Sequence, residues 1–210
     1  MIRKPVYKAV ARWYDAVSLE RPIYRPGRVR AIESMALSVG DRVLDVGCGT
    51  GLNFSLVQEA IGSKGSITGV DRSTSMLAQA RNRASKRGWR NVDLMNADAT
   101  SLRADDFARD GQLFDAALAT YSLSLMEQWR SAWDLMKRLV RPGGRIAVVD
   151  LGSPTGRALL ARPLARLACQ LGGSEPGRVP WRAAERDLID VTKRRPLGRP
   201  RAGQSRDETR

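Results

Sequence analysis

Five short, mostly apolar runs punctuate the middle of this chain: Val43–Val46, Ser66–Val70, Val92–Met95, Phe114–Ala119 and Arg145–Val149. Runs of this length bounded by turn residues read as buried strands, not helices. Between them the apolar positions fall at helical spacing. Phe54–Ala60 reads as one helix. A second, capped by Ser73 or Thr74, runs through Met76, Leu77, Ala80 and Ala84 to Gly88, and a third spans Gln128–Val140, closed by Arg141-Pro142-Gly143-Gly144. Upstream, Val6–Val17 and Gly27–Leu37 read as amphipathic helices, and Val39-Gly40-Asp41 as a turn into the first strand. Strands alternating with helices imply crossover connections, hence an α/β fold with a mostly parallel sheet and helices on both faces.

Ligands of such sheets sit beyond the carboxyl ends of the strands. The chemistry-bearing loops of this chain all fall on that edge: Asp45–Gly51, Asp71–Arg72, Asp98–Ala99, Thr120–Ser124 and Asp150. In the first of them Gly47, Gly49 and Gly51 alternate with Cys48 and Thr50. Glycines there let the backbone fold tightly, so that a ligand rests on peptide N–H groups at a helix N-terminus. A dinucleotide fingerprint needs its third glycine at position 52, where this chain has Leu52. A carboxylate, Asp45, two residues before the first glycine suits a ligand with a cationic group and not a pyrophosphate. That spacing points away from NAD.

At 210 residues the chain suits one sizeable core. We expect helices roofing the site at 1–40, a catalytic domain at 41–192 and a basic, disordered tail at 193–210. The net charge of +14 sits at the two ends. Residues 1–30 hold eight Lys/Arg against two acids, residues 151–210 thirteen against six, and residues 31–150 fifteen against fourteen. Solvated flanks explain this balance, and a basic rim facing an anionic membrane is the sharper alternative. Arg157–Leu171 carries the same pair of readings. Leu160, Leu164, Leu167 and Leu171 share a face opposite Arg162 and Arg166, so the helix covers the sheet or rests on lipid. No eighteen-residue apolar run, no apolar stretch behind the first charges and two motif-free cysteines, Cys48 and Cys169, suggest a cytoplasmic setting. With no histidine anywhere, the commonest general base and metal ligand is missing, and no metal site is expected.

Taken in order, V-L-D-V-G-C-G-T-G at 43–51, T-G-V-D at 68–71, N-A-D-A at 96–99, F-D-A-A-L-A-T at 114–120 and R-P-G-G-R at 141–145 resemble the class I S-adenosylmethionine-dependent methyltransferases. Among these the chain looks like the large subgroup of ubiquinone/menaquinone-biosynthesis and small-molecule enzymes, over about residues 6–170. The resemblance implies a Rossmann-like sheet and S-adenosyl-L-methionine as cofactor. Asp45, Gly47, Cys48, Gly49 and Gly51 would surround the methionine part, and Asp71 the ribose hydroxyls. Arg72 and Met76 would pack on adenine, Asp98 and the Ala99 backbone would meet its edge, and Thr120 would border the methyl group. Plainer readings stand beside these: Asp71 as a helix-capping acid, Asp98 as an exposed loop acid, Met76 as helix packing and Cys48 as a small filler.

In-line displacement at a sulfonium needs alignment and exclusion of water, and a base only when the acceptor must lose a proton. Tyr14, Asp15 and Tyr121 are the catalytic candidates, with Tyr24 and Glu127 behind them. The Thr120-Tyr-Ser-Leu-Ser124 stretch lacks both the D/N/S-P-P-Y/F/W motif of base N-methylating enzymes and the cysteine of pyrimidine C5 enzymes. Nucleic acid therefore ranks below a small-molecule acceptor: a quinol, phenol, amine or lipid head group. Oligomeric state is not legible. Such folds normally end in two further strands, and here Asp187–Arg195 supplies at most one before Pro196 and Pro200 intervene. We expect an incomplete C-terminal sheet, with a catalytically impaired cofactor-binding protein as the alternative function.

Overall fold

A computed structural model of the chain describes residues 24–107, 112–150 and 180–188. The helices expected at Val6–Val17 and Arg157–Leu171, and the strand expected beyond Leu188, lie outside the described residues.

Within them, α1 (Arg25–Ser34) precedes β1 (Arg42–Val46), α2 (Phe54–Ile61), β2 (Ser66–Asp71), α3 (Thr74–Lys86), β3 (Val92–Asn96), β4 (Phe114–Thr120), α4 (Trp129–Leu139), β5 (Val140–Val149) and α5 (Trp181–Asp187). The sheet runs β3-β2-β1-β4-β5 and every pairing is parallel. Strand order reverses between β1 and β4, and a crevice opens at such a switch point beyond the carboxyl ends.

The two-residue period of the strands sorts the core into two layers. Leu44 and Val46 of β1, with Ala117 and Ala119 of β4, face Trp133, Met136 and Leu139 of α4 and Ala183 of α5. Val43 of β1, with Ala116 and Leu118 of β4, faces Phe54, Val57 and Ile61 of α2, Leu77 and Ala80 of α3, and Ile32 and Met35 of α1. Asp45 alternates onto the second face, under the start of α2. Burial on both faces explains why the central strands β1 and β4 read as apolar runs and not as alternating ones.

Two boundaries differ from expectation. Pro26 in the first turn starts α1 at Arg25, and the helix stops at Ser34, after which Ala36 takes a positive φ of 44°. The Arg141–Gly144 turn also lies within β5 and not ahead of it. Phe114 pairs with Val140 and Ala116 next pairs with Arg145, so the stretch bulges out of register. Gly143 has φ 75°, and a Cβ at Gly144 would lie 2.4 Å from Val140 Cγ1. Only glycine fits that fold-back.

Candidate active site

Strand register fixes the site. Asp45 pairs with Gly69 and Leu118, so Asp71 and Thr120 each project two residues further along the same edge. Asp71 pairs with Asn96, which puts Asp98 two residues past the end of the next strand. Between these strand ends runs the glycine turn, with φ of 70° at Gly47, 56° at Gly49 and 76° at Gly51. Gly47 and Cys48 N–H groups donate to Val70 O at 2.8 and 3.0 Å, which ties the turn to β2. A Cβ at Gly47 would strike Ser122, 2.4 Å away, and one at Gly51 the Phe54 ring, whereas one at Gly49 meets nothing within 4 Å. The turn is thus packed underneath and open at its middle glycine.

Asp45 has no exposed surface. Asn53 Nδ2 donates to both of its oxygens, at 3.1 and 2.9 Å, and lies 3.0 Å from Thr120 Oγ1. Arg28 of α1 completes the cluster, donating to Asn53 Oδ1 at 3.1 Å and to Thr120 Oγ1. Burial pushes the Asp45 carboxyl up to about 6, against the pull of Asn53 and of the Arg28 charge, and Asp71 adds a small repulsion.

Asp71 accepts from Ser73 N–H at 2.8 Å and Gly49 N–H at 2.9 Å. Burial raises its carboxyl, and those two N–H groups and Arg72 draw it part of the way back. It orders the glycine turn as well as the entry to α3, where the Ser73 hydroxyl receives Met76 N–H at 3.4 Å. Asp98 is exposed, and its Oδ1 accepts from Thr100 N–H at 2.9 Å and Thr100 Oγ1 at 2.7 Å. Its slight burial pulls the carboxyl up, but the Thr100 bonds and the Arg72 charge outweigh it and hold the group below its usual range. Arg72 thus acts on Asp71 and Asp98 together. Met76 and Ala99 are buried. Cys48 is buried too, and burial, with Asp45 and Asp71 nearby, pushes its thiol well up, as suits a filler and not a nucleophile.

Tyr121 sits just past β4 with a left-handed φ of 57°, uncommon for an aromatic residue. Its N–H donates to Val149 O, its hydroxyl donates to Tyr24 O at 3.1 Å, and its ring meets Tyr24 edge-on with centroids 4.8 Å apart. The Arg28 guanidinium lies 5.2 Å from the same ring. Beyond it Ser122 Oγ donates to Val46 O, and Ser124 donates to Asp150 through both N–H and hydroxyl. Of the catalytic candidates, Tyr14 and Asp15 lie outside the described residues; Glu127 is exposed. Two site residues went unanticipated. Asn53 stood in the sequence as a cap-type residue before α2, but its side chain turns back to Asp45 and makes no cap. Arg28 carried no local signal, because its partners are 25 and 92 residues away.

Residues 43–144 match the family model for a methyltransferase domain. The chain carries a class I S-adenosylmethionine-dependent methyltransferase domain. A demethylmenaquinone methyltransferase of Shouchella clausii is 29% identical over 154 residues, 71% of this chain and 63% of that protein. This chain therefore spans about three fifths of that relative. Among solved structures, a SAM-dependent methyltransferase of Aquifex aeolicus shares the fold with a TM-score of 0.58 at 19% identity, covering 71% of this chain and 76% of that one. The [4+2]-cyclase SpnF superposes with a TM-score of 0.58 at 28% identity, covering 72% and 60%.

S-adenosyl-L-methionine is the cofactor of this methyltransferase domain. The residues present fit it: a buried carboxylate at the end of β1, a second at the end of β2, and a glycine turn open at Gly49. No helix among the described residues is long and apolar enough to cross a membrane.

Proposed function

We propose that the protein transfers the methyl group of S-adenosyl-L-methionine to a small-molecule acceptor of the quinol or phenol kind. The observation that carries the cofactor half is the register that brings Asp45, Asp71 and Thr120 to one strand edge around the glycine turn. The demethylmenaquinone methyltransferase among the relatives supports the acceptor half. Gly47, Cys48, Gly49 and Gly51 would line the amino-acid tail with Asp45 below them. Asp71 would take the ribose hydroxyls, with Arg72, Met76, Asp98 and Ala99 around the adenine and Thr120 beside the transferred group.

The cofactor supplies an already activated sulfonium methyl, so the work of this chain is alignment and exclusion of water. Tyr121 serves that work by holding the start of α1 against the end of β4. Tyr14 and Asp15 stand as proposed proton acceptors for a hydroxyl acceptor. The impaired, binding-only alternative rests on residues 187–208, of which Asp187 closes α5 and those from 189 onward lie outside the described residues. The cytoplasm is the proposed setting, and the basic flanks suit the anionic lipid surface at which a lipid-soluble acceptor is met.

Because one neighbour is named for a cyclisation, turnover and not binding decides. The full chain is incubated with S-adenosyl-L-methionine and a panel of quinols, phenols and amines, and S-adenosylhomocysteine release is followed by mass spectrometry. Release with a quinol or phenol, lost in Asp71→Ala, is the expected result. Preferred release with amines would overturn the acceptor class, and no release with any acceptor would overturn methyl transfer.

A further inference from the structure

The near-neutral balance of residues 31–150 hides a segregated segment. Residues 72–92 hold six Lys/Arg and no acid. They form α3 and the turn into β3, the outermost strand of the described sheet. Leu77 and Ala80 bury the inner face of α3, while Arg81, Ser85 and Lys86 are exposed on the outer one, followed by exposed Arg87 and Arg90. A turn closes the helix, with Gly88 at φ 69° and Trp89 N–H donating to Ala84 O at 3.0 Å. Asn91 Nδ2 then donates to Gly62 O and Gly65 O, at 3.1 and 2.7 Å, which holds the loop of exposed Lys64 against the residue after Arg90.

Two cations of the segment serve the fold. Arg72 acts on Asp71 and Asp98, and Arg83 Nε donates to Thr50 O. Among the described residues no hydrogen bond or ion pair engages the side chains of Lys64, Arg81, Lys86, Arg87 and Arg90. The helix dipole favours Lys86 in the last turn but does not account for Arg81, Arg90 or Lys64. Nearby acids do not answer these charges. Val92 and Leu94 join the layer of α2 and α3, so Asp93 between them alternates onto the opposite face of the sheet. Glu59, exposed on α2, pairs with none of the five. Trp89 is half-buried and packs against the core layer, so it offers no stacking platform for a base. Cations spread over an outer helix face and two turns match a polybasic surface on lipid, not a groove that tracks a nucleic-acid backbone.

We propose that Lys64, Arg81, Lys86, Arg87 and Arg90 form the surface on which the protein docks to an anionic lipid bilayer. Phosphate-bearing head groups supply the counter-charges that the fold does not. Helix α3 runs from the strand end that holds Asp71 back to the start of β3. A bilayer along it therefore flanks the sheet and leaves the strand-end opening uncovered at one margin. The lipid contact of the reading above thereby gains a place in the folded body, and it holds whatever the acceptor.

Co-sedimentation of the full chain with vesicles tests it, using phosphatidylcholine alone and an equimolar mixture of phosphatidylcholine and phosphatidylglycerol. Wild-type protein should bind only the anionic vesicles, and more weakly as salt rises. The combined variant Lys64→Gln, Lys86→Gln, Arg87→Gln, Arg90→Gln should bind them at least about tenfold more weakly, a few-fold for each cation removed. A control with the same charge loss near the C-terminus, Arg194→Gln, Arg195→Gln, Arg199→Gln, Arg201→Gln, should stay within about threefold of wild type. Equal losses in the two variants, or a loss confined to the control, overturn the proposal, as does wild-type binding that is absent or indifferent to lipid charge. So does a combined variant that keeps its vesicle binding but loses binding to a short RNA duplex, which assigns the face to nucleic acid. Should the combined variant not fold, Lys64→Gln with Arg90→Gln, both outside the helices, should still weaken vesicle binding by about fivefold, and unaltered binding sinks the proposal. S-adenosylhomocysteine affinity, read in parallel by calorimetry, should stay within about threefold of wild type in every variant. Wild-type protein that does not bind S-adenosylhomocysteine sinks the methyltransferase reading and not the docking face.

Discussion

At the scale of single residues the site turns on a carboxylate that folding alone does not favour. Asp45 is held without exposed surface by one amide and a nearby guanidinium, and burial lifts its pKa from 3.8 to about 6. The folded chain therefore binds this proton more tightly than the unfolded chain does. The stabilisation it brings is full below pH 4 and is lost as pH rises through about 6. A shift of that size corresponds to about 3 kcal/mol. Asp45→Asn should accordingly flatten the fall in thermal stability between pH 4 and 7 relative to wild type, read by calorimetry at matched ionic strength; parallel wild-type and variant profiles would contradict the burial argument. Ligand binding should run the other way. The charged form is the one that meets an ammonium, so S-adenosylhomocysteine affinity should climb from pH 5 to 7.5.

Gly49 offers a second test. A Cβ there has room but must adopt φ 56°, so Gly49→Ala should cost about 1–2 kcal/mol in stability. Its methyl would also sit on the open side of the turn, and S-adenosylhomocysteine affinity should drop at least tenfold; unaltered affinity would place the ligand elsewhere. Asp45 and the glycines were legible in the sequence because their signal is local, a carboxylate and three glycines within seven residues. Asn53 and Arg28 were not, since an amide that turns backward and an arginine among eight basic residues look ordinary until the strands are paired.

Among the elements, α1 depends on a contact at Gly27. Alanine normally strengthens a helix relative to glycine by about 1 kcal/mol. Here Gly27→Ala should instead loosen the helix, because its methyl would collide with the Tyr121 hydroxyl. Hydrogen exchange of the α1 amides should accelerate in Gly27→Ala and recover in part when Tyr121→Phe is added, which removes the hydroxyl the methyl strikes and keeps the ring against Tyr24. Slower exchange in the single variant would show that the helix does not dock this way. Strand and helix positions were readable from apolar periodicity, and β2, α2 and α3 fall within two residues of the expected ends. The Arg141–Gly144 bulge was not readable as part of a strand. Its Pro-Gly-Gly composition is that of any turn, and only the pairing of Val140 with Phe114 extends β5 ahead of it.

At the scale of the molecule, two apolar layers clamp the five-stranded parallel sheet of the described residues so that its strand ends, and not its faces, are left for chemistry. Coverage of both faces is what made the fold class legible, since the central strands β1 and β4 are buried almost throughout and read as apolar runs. Met136, fully buried between α4 and the sheet, should cost about 2–5 kcal/mol as Met136→Ala and leave ligand affinity near wild type. Loss of affinity in step with stability would mean that the site and the core are not separable. The acceptor was not legible, because the residues that would shape its pocket carry no motif and Tyr14 and Asp15 lie outside the described segments. Calorimetric titration of S-adenosylhomocysteine into wild type, Asp45→Asn and Asp71→Asn bears most directly on the cofactor site. One-to-one binding weakened at least tenfold by each substitution is expected. Binding that survives both substitutions, or no binding to the wild-type chain, would contradict it.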